Sequence, residues 1–202
     1  MTKALPLLAF VPAFLIGCKS TIPDQSGFLS DYTRLESTTA TTLESPPDDR
    51  LHTYGSFIVD PVELRLDERS NAPEIKSRML AEKLHNAIEV VVRESTRPPE
   101  ATGSARVRIA MTRIRHSSPI LNIHPGTKIT GAGLGEAGIE AEIIDSATGQ
   151  QLWAYSAVRK GNRMELDAFD KYDDAEDAIA HFAKIFRDLL SPETPARVNA
   201  TR

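Results

Sequence analysis

Cys18 is the one cysteine in the chain, and it follows Leu15-Ile16-Gly17 at the end of an uncharged run that begins at Ala4. A thiol placed there is suited to accept a thioether-linked diacylglyceride, after which cleavage exposes a new N-terminus for a further acyl group such as palmitate. Each buried methylene contributes about 0.8 kcal/mol and a single chain holds only marginally, so several chains make a firm anchor. The other groups with chemical potential are scattered. Glu140 and Glu142 are paired acids on one face of an alternating segment, a place where carboxylates usually face solvent. His116 and His124 bracket a loop without a third ligand in view. Gly133, Gly135 and Gly138 spell Gly-x-Gly-x-x-Gly, the pattern that cradles a pyrophosphate.

None of these patterns has the context its chemistry requires. A dinucleotide loop follows a strand and opens a helix, whereas here His124-Pro125-Gly126 reads as a turn and the residues after Gly138 alternate as a strand. A tight bend, a bulge or a close crossing explains the glycines better. The acids Asp170, Asp173, Asp174, Glu176 and Asp177 lack the turn glycine of a calcium loop, and they suit the first turns of a helix, where the dipole favours negative charge. Neither Gly-x-Ser-x-Gly nor His-Glu-x-x-His occurs. The expectation is a non-enzymatic domain with no metal and no cofactor. A cryptic enzyme stays as an alternative, because active sites are assembled in three dimensions.

The run from Ala4 to Ile16 is too short to cross a hydrocarbon core, which takes roughly 20 residues, and with Lys3 before it the segment describes an export signal. Residues 1–17 are therefore expected to be a lipoprotein signal peptide. Residues 18–50, rich in Ser, Thr, Pro and Asp, read as a lipidated N-terminus and flexible tether. Within them Phe28, Leu29, Tyr32 and Leu35 are out of place in a solvated linker, and either dock onto the folded part, contact a partner or are neutral. A single α/β domain is expected over 51–191 and a disordered tail over 192–202. Removing Lys3 with the signal takes the net charge from −4 to −5, and no basic block is present, so nucleic acid is not an expected partner. Lys19 after the cysteine, in place of Asp, favours the outer membrane, facing the periplasm.

The elements that position these residues follow from periodicity. Gly55 to Leu66 reads as a strand that Pro61 splits, bulges or confines to an edge. Pro73 to Ser95 reads as a helix with a stripe of Ile75, Met79, Leu80, Leu84, Ile88, Val91 and Val92, ended by Pro98-Pro99. His85 sits at the boundary of that stripe. Ala105 to Met111 and Ile139 to Ile143 alternate as strands, with Arg106, Arg108, Glu140 and Glu142 expected on a wet face. Asp145 to Gln150 signals a turn into a strand over Leu152 to Val158, where alternation leaves open which side Trp153 and Tyr155 occupy. Tyr172, Ala175, Ile179, Phe182, Phe186 and Leu189 mark a second helix. The fold class is α+β: a two-layer sandwich, mostly antiparallel, in the order β-α-β-β-β-α, with helices 73–95 and 171–190 on one face. Two antiparallel half-barrels are the alternative.

The segments Leu15-Ile16-Gly17-Cys18, Ser26-Gly27-Phe28-Leu29-Ser30-Asp31-Tyr32-Thr33-Arg34-Leu35, Asp60-Pro61-Val62 and Asp145-Ser146-Ala147-Thr148-Gly149 resemble the bacterial lipoproteins grouped as domain of unknown function 3313. The resemblance implies a lipid-anchored envelope domain with an α/β core, and brings no catalytic residue. The expected role is an adaptor or accessory subunit that holds an envelope protein partner at the bilayer, to which acylated Cys18 ties it. A binding module for an envelope glycan or lipid fragment is the alternative. Ile120, Leu121 and Ile123, in the irregular stretch between His116 and Thr130, are the expected partner contact if they do not fold back over the sheet edge.

Overall fold

The computed structural model describes Pro23 and residues 25–116, 135–160 and 172–191. The expected signal peptide, Cys18, the partner contact at Ile120, Leu121 and Ile123, and the tail lie outside the described residues.

Among the described residues, ten elements run in the order β1 (Glu36–Thr39), β2 (Thr42–Glu44), a 3-10 helix (Asp49–Thr53), β3 (Ser56–Val59), β4 (Glu63–Leu64), α1 (Glu74–Glu94), β5 (Ser104–Arg115), β6 (Glu136–Asp145), β7 (Gln151–Lys160) and α2 (Asp173–Leu190). The strands form one sheet in the order β1-β2-β7-β6-β5-β3, with β4 also on β5. All pairs are antiparallel except those of β3 and β4 with β5, which α1 connects as a crossover. The architecture is the two-layer α+β sandwich expected, preceded by the additional pair β1 and β2.

Local chemistry explains the main elements. Pro61 divides the edge segment into β3 and β4, since it has no N–H to give to a ladder. Asp145 opens the β6–β7 turn by accepting from the N–H groups of Ala147 (2.8 Å) and Thr148 (2.7 Å), and Gly149 closes it at φ 72°. Pro73 stands just before α1 at the cap position, one residue earlier than expected, and its carbonyl accepts from Ser77 N at 3.0 Å.

The core lies between the sheet and the two helices, which pack side by side on one face. Val107, Ile109, Met111, Ile139 and Ile143 meet Leu80, Leu84 and Ile88 of α1 and Ile179, Phe182 and Phe186 of α2 in this layer. Trp153 and Tyr155 belong to it: their rings stack at 5.8 Å, Trp153 lies 6.2 Å from Phe186, and Tyr155 lies 5.3 Å from Phe182. The indole N–H of Trp153 is satisfied by Glu44 Oε1 at 3.1 Å, across from β2. Burial pushes the Tyr155 phenol up to about 12, with the nearby Glu44 charge adding to it.

Two sequence expectations change. Ile75 and Met79 were placed in the apolar stripe of α1, yet they are 74% and 56% exposed. At about 100° per residue, Ile75 is rotated some 140° from Leu80, and the face that Leu80, Leu84, Ile88 and Val91 define leaves it outside. The second change concerns residues 25–50, which do not run free of the domain. Their second half supplies β1 and β2, with β2 pairing β7 at Thr42–Ala157, Leu43–Ser156 and Glu44–Tyr155. Their first half crosses the sheet face opposite the helices and buries Phe28 and Leu29 against Ala110 and Ala154. Docking, one of the three readings open for Phe28 and Leu29, is therefore what the fold does with them.

Candidate functional site

The expected wet face of the sheet carries the densest polar constellation among the described residues. Antiparallel register sets Arg108 opposite Glu142 on β5 and β6, and Glu140 opposite Ala110. Both carboxylates are 0% exposed because the segment from Ser26 to Arg34 lies over them as a strap. Charge on an alternating strand is ordinarily solvated, and the correction has a physical cause: the strap brings enough donors to replace water.

Those donors are arranged one set to each acid. Glu140 accepts from Ser26 N (3.1 Å), Ser26 Oγ (2.5 Å) and the Tyr32 hydroxyl (2.8 Å). Glu142 accepts from Ser30 N (2.9 Å), Ser30 Oγ (2.7 Å) and Gln151 Nε2 (2.8 Å) on one oxygen, and from Arg108 Nη1 (2.5 Å) on the other. The Tyr32 oxygen in turn accepts from Phe28 N (3.0 Å) and Leu29 N (3.2 Å), which fixes the turn that carries the two apolar side chains. Burial raises the Tyr32 phenol above its ordinary range, and the bond to Glu140 adds to the rise. Arg108 lies 4.9 Å from the Phe28 ring centroid, so its guanidinium is shared between an acid and an aromatic face. Farther along, Arg34 Nη1 donates to the Gln151 carbonyl at 2.8 Å and closes the strap onto β7. Arg106, the other arginine on this face, pairs instead with Asp60 at 2.8 Å.

A second polar centre follows from a bulge. The register of β5 on β6 shifts between Met111 and Arg113, turning Arg113 toward the strap side and leaving it 2% exposed. Asp67 accepts from Arg113 Nε at 2.7 Å, while Glu136 receives Arg113 at 3.4 Å and Arg115 at 3.2 Å. Burial alone would raise the Asp67 carboxyl, but the bond and charge of Arg113 outweigh it and hold Asp67 below the ordinary range. Gly138 sits opposite the bulge, where a Cβ would meet Thr112 Oγ1 at 2.5 Å and Arg113 Cβ at 3.0 Å. Gly135 donates its N–H to Asp174 at 2.8 Å, and a Cβ there would collide with the same carboxylate. The two described glycines of the Gly-x-Gly-x-x-Gly run thus serve a bulge and a close crossing.

An open cleft of about 410 Å³ lies beside the strap, lined among others by Gln25, Ser26, Leu66, Asp67 and Arg113. A shallower one of about 280 Å³ lies against α1, lined by Pro61, Val62, Leu64, Arg78, Ala81, Glu82 and His85. His85 takes the boundary position expected of it, its Nδ1 3.2 Å from the Asp60 carbonyl. His116 contacts Asn71 and faces the Tyr172 ring, and His124 is outside the described residues. Among the described residues no group of three His, Cys, Asp or Glu side chains is arranged to hold a metal ion, and no helix is long and apolar enough to cross a membrane.

The strap motif that builds this site lies inside the span matched by a family model. Residues 24–186 match the model described as protein of unknown function (DUF3313). The chain belongs to this family. None of the curated proteins compared with it matches. Among solved structures, a PelC dodecamer from Paraburkholderia phytofirmans is similar at 12% identity, over 76% of this chain and 99% of that one, with a TM-score of 0.46. Lipoprotein GNA1162 from Neisseria meningitidis is similar at 17% identity over 64% and 98%, with a TM-score of 0.33. A protein of Caulobacter crescentus, named a putative lipoprotein, is similar at 12% identity over 64% and 88%, with a TM-score of 0.30. Likeness at this level says nothing of what the chain does.

The Glu140 and Glu142 pair and Arg108 beside it were visible in the sequence, but the donors that cover the two acids were not. Ser26, Ser30 and Tyr32 lie more than a hundred residues away, and Gln151 falls between the expected turn and the expected strand. Their one signal was an apolar cluster inside an otherwise polar stretch.

Proposed function

We propose that this DUF3313 protein is a lipoprotein of the cell envelope, held at a bilayer by acylated Cys18, with an adaptor or accessory role and no catalysis of its own. The observation that carries this reading is how the strap uses the site. Both buried acids and their donors are engaged in fixing the chain's own N-terminal segment to its own sheet, so the groups best suited to chemistry are occupied in attachment. A signal segment and a lone cysteine before the strap supply the anchor. The outer membrane, with the domain facing the periplasm, is the location that Lys19 after the cysteine favours. An envelope protein is the partner this arrangement fits. The 410 Å³ cleft beside the strap is open, which suits a glycan or lipid fragment less well than a deep apolar pocket would.

In-cell crosslinking tests the adaptor role. Wild-type protein is expected to recover a defined set of envelope proteins that the Cys18→Ser form does not. Equal recovery by the two forms would remove the support for a membrane-held adaptor. Metabolic labelling with a clickable fatty acid tests the anchor separately: Cys18→Ser is expected to lose the label, and equal labelling refutes the assignment.

A further inference from the structure

The strap has a direction, and its direction orients the domain. Ser26 binds Glu140 and Ser30 binds Glu142, so the chain runs down the sheet toward the β6–β7 turn as its number increases. Read backwards, Gln25 lies beside Thr112, Arg113 and Val158, near the opposite end of the sheet. That end is formed by Arg115, Glu136 and Lys160 together with the start of α1, since Asn71 N donates to the Ile114 carbonyl at 3.1 Å. Six residues lie between Cys18 and Gln25, and the seven steps at roughly 3.3–3.6 Å each span at most about 25 Å. The ten residues of β6 cover roughly 34 Å. An acylated Cys18 therefore leaves the domain no long leash, and the chain reaches it from the end where α1 begins.

The same end carries two of the three large apolar side chains exposed among the described residues. Ile75 and Met79 stand on the outer face of the first two turns of α1, flanked by Lys76, by the exposed ion pair of Arg78 with Glu74, and by Glu82. The third, Ile58, is on β3 beside Arg106, toward the other end. The strap side and the β1–β2 hairpin present Thr, Ser, Asp and Glu, and the far turn presents Ser146, Thr148 and Gln150. An apolar pair bordered by charged side chains, Lys76 and Arg78 among them, suits the boundary between headgroups and acyl chains, where Lys and Arg stems extend along apolar surface and their charges stay wet.

Resting on the Cys18 anchor, we infer that the domain stands with the start of α1 toward the bilayer that holds it, Ile75 and Met79 touching the lipid surface and the β6–β7 turn pointing away. The occupant of the apolar pair is then the membrane itself.

The test uses full-length acylated protein reconstituted into phosphatidylethanolamine–phosphatidylglycerol vesicles containing headgroup spin-labelled lipid. With Cys18 acylated no other thiol is present, so Met79→Cys, Ile75→Cys, Ile58→Cys and Thr148→Cys each carry one fluorophore at an exposed position. Quenching is expected at 75 and 79, with none above the quencher-free control at 58 and 148. Equal quenching at all four, or stronger quenching at 148, overturns the orientation. No quenching at any position in a vesicle-bound, acylated sample also overturns it and assigns the patch to a protein partner. Mass spectrometry on the same sample separates the two ideas: a mature mass without acyl chains overturns the anchor and the orientation with it.

Discussion

Tyr32 and Glu140 share a hydrogen bond of 2.8 Å across 108 residues of sequence, and the same phenol oxygen accepts the N–H groups of Phe28 and Leu29. One side chain thereby ties a turn to a strand. Tyr32→Phe removes a donor from a buried carboxylate and an acceptor from two amides, while the ring is kept. A loss of about 1–2 kcal/mol is expected, at the lower part of the usual cost of unsatisfied polar groups because Tyr32 is half-buried. Calorimetry reads this as a midpoint lower by several degrees, at roughly 2–4 °C per kcal/mol. Thr33→Ala, which breaks only an exposed local bond to Asp31, serves as control and is expected to stay within about 0.5 kcal/mol. Equal midpoints for Tyr32→Phe and wild type would contradict the role given to the phenol.

Glu142→Gln is expected to cost more. The carboxylate accepts from Ser30, Gln151 and Arg108, and an amide in its place turns a donor toward groups that are themselves donors. Removing one member of a buried ion pair costs about 3–5 kcal/mol, and the partial exposure of Arg108 brings the expectation to about 2–3. Urea denaturation should show a lower midpoint with an unchanged slope, since the exposed area of the unfolded chain is the same. Arg108→Met combined with Glu142→Gln should cost less than the two single changes added together. Simple additivity would mean the pair is not coupled.

Much of the sandwich was legible because its core obeys a single period in each element. Phe182 and Phe186 on α2, and Val107, Ile109 and Met111 on β5, repeat as a helix and a half-buried strand must. The face with Glu140 and Glu142 was misread for the same reason. Alternation reports that two faces differ, and it carries no information on what lies over the polar one. The cover comes from Ser26 to Arg34, whose composition resembles a linker and whose structure depends on acids far along the chain. Ile75 and Met79 show a different limit: spacings of three to five admit residues on both sides of a helix, and only the angle to Leu80 and Leu84 separates them.

Stability should fall at both extremes of pH through one contact. The Tyr54 hydroxyl donates to Asp145 at 2.5 Å. That bond, with the turn amides of Thr148 and Ala147, holds the Asp145 carboxyl down at about 2. Burial, and then the same bond, pushes Tyr54 up to about 12. Asp145, depressed in the fold, contributes stability above its unfolded value of 3.8 that is lost as pH falls toward 2. Tyr54, raised in the fold, contributes stability below its unfolded value of 10 that is lost as pH rises toward 12. Tyr54→Phe should flatten part of both flanks of a midpoint-versus-pH curve, with Tyr155 leaving a residual alkaline decline. An unchanged acid flank in the variant would rule out the coupling.

Gly138→Ala tests the bulge. A methyl there meets Thr112 Oγ1 at 2.5 Å, Arg113 Cβ at 3.0 Å and Arg113 N at 3.1 Å, so β5 must shift and carry Arg113 with it. Overpacking of this kind costs about 1–3 kcal/mol. Thr112→Ala in the same chain removes the nearest obstacle and should recover part of the loss, but not all, because two of the three contacts remain. Full recovery would locate the strain in one side chain, and no loss would show that the bulge relaxes freely.

The strap itself can be removed. A soluble form beginning at Gln25 keeps every donor to Glu140 and Glu142, whereas one beginning at Glu36 keeps β1 and β2 and uncovers both acids together with the Ala110 and Ala154 patch. Uncovered carboxylates recover water, so the polar bonds contribute little net. The larger loss is the burial of Phe28 and Leu29, about 1.5–3 kcal/mol for each side chain. The form beginning at Glu36 is expected to unfold at lower temperature and to exchange the amides of β6 and β7 faster than the form beginning at Gln25. If both forms exchange alike, residues 25–35 are a linker after all, and the direction they give to the domain is lost.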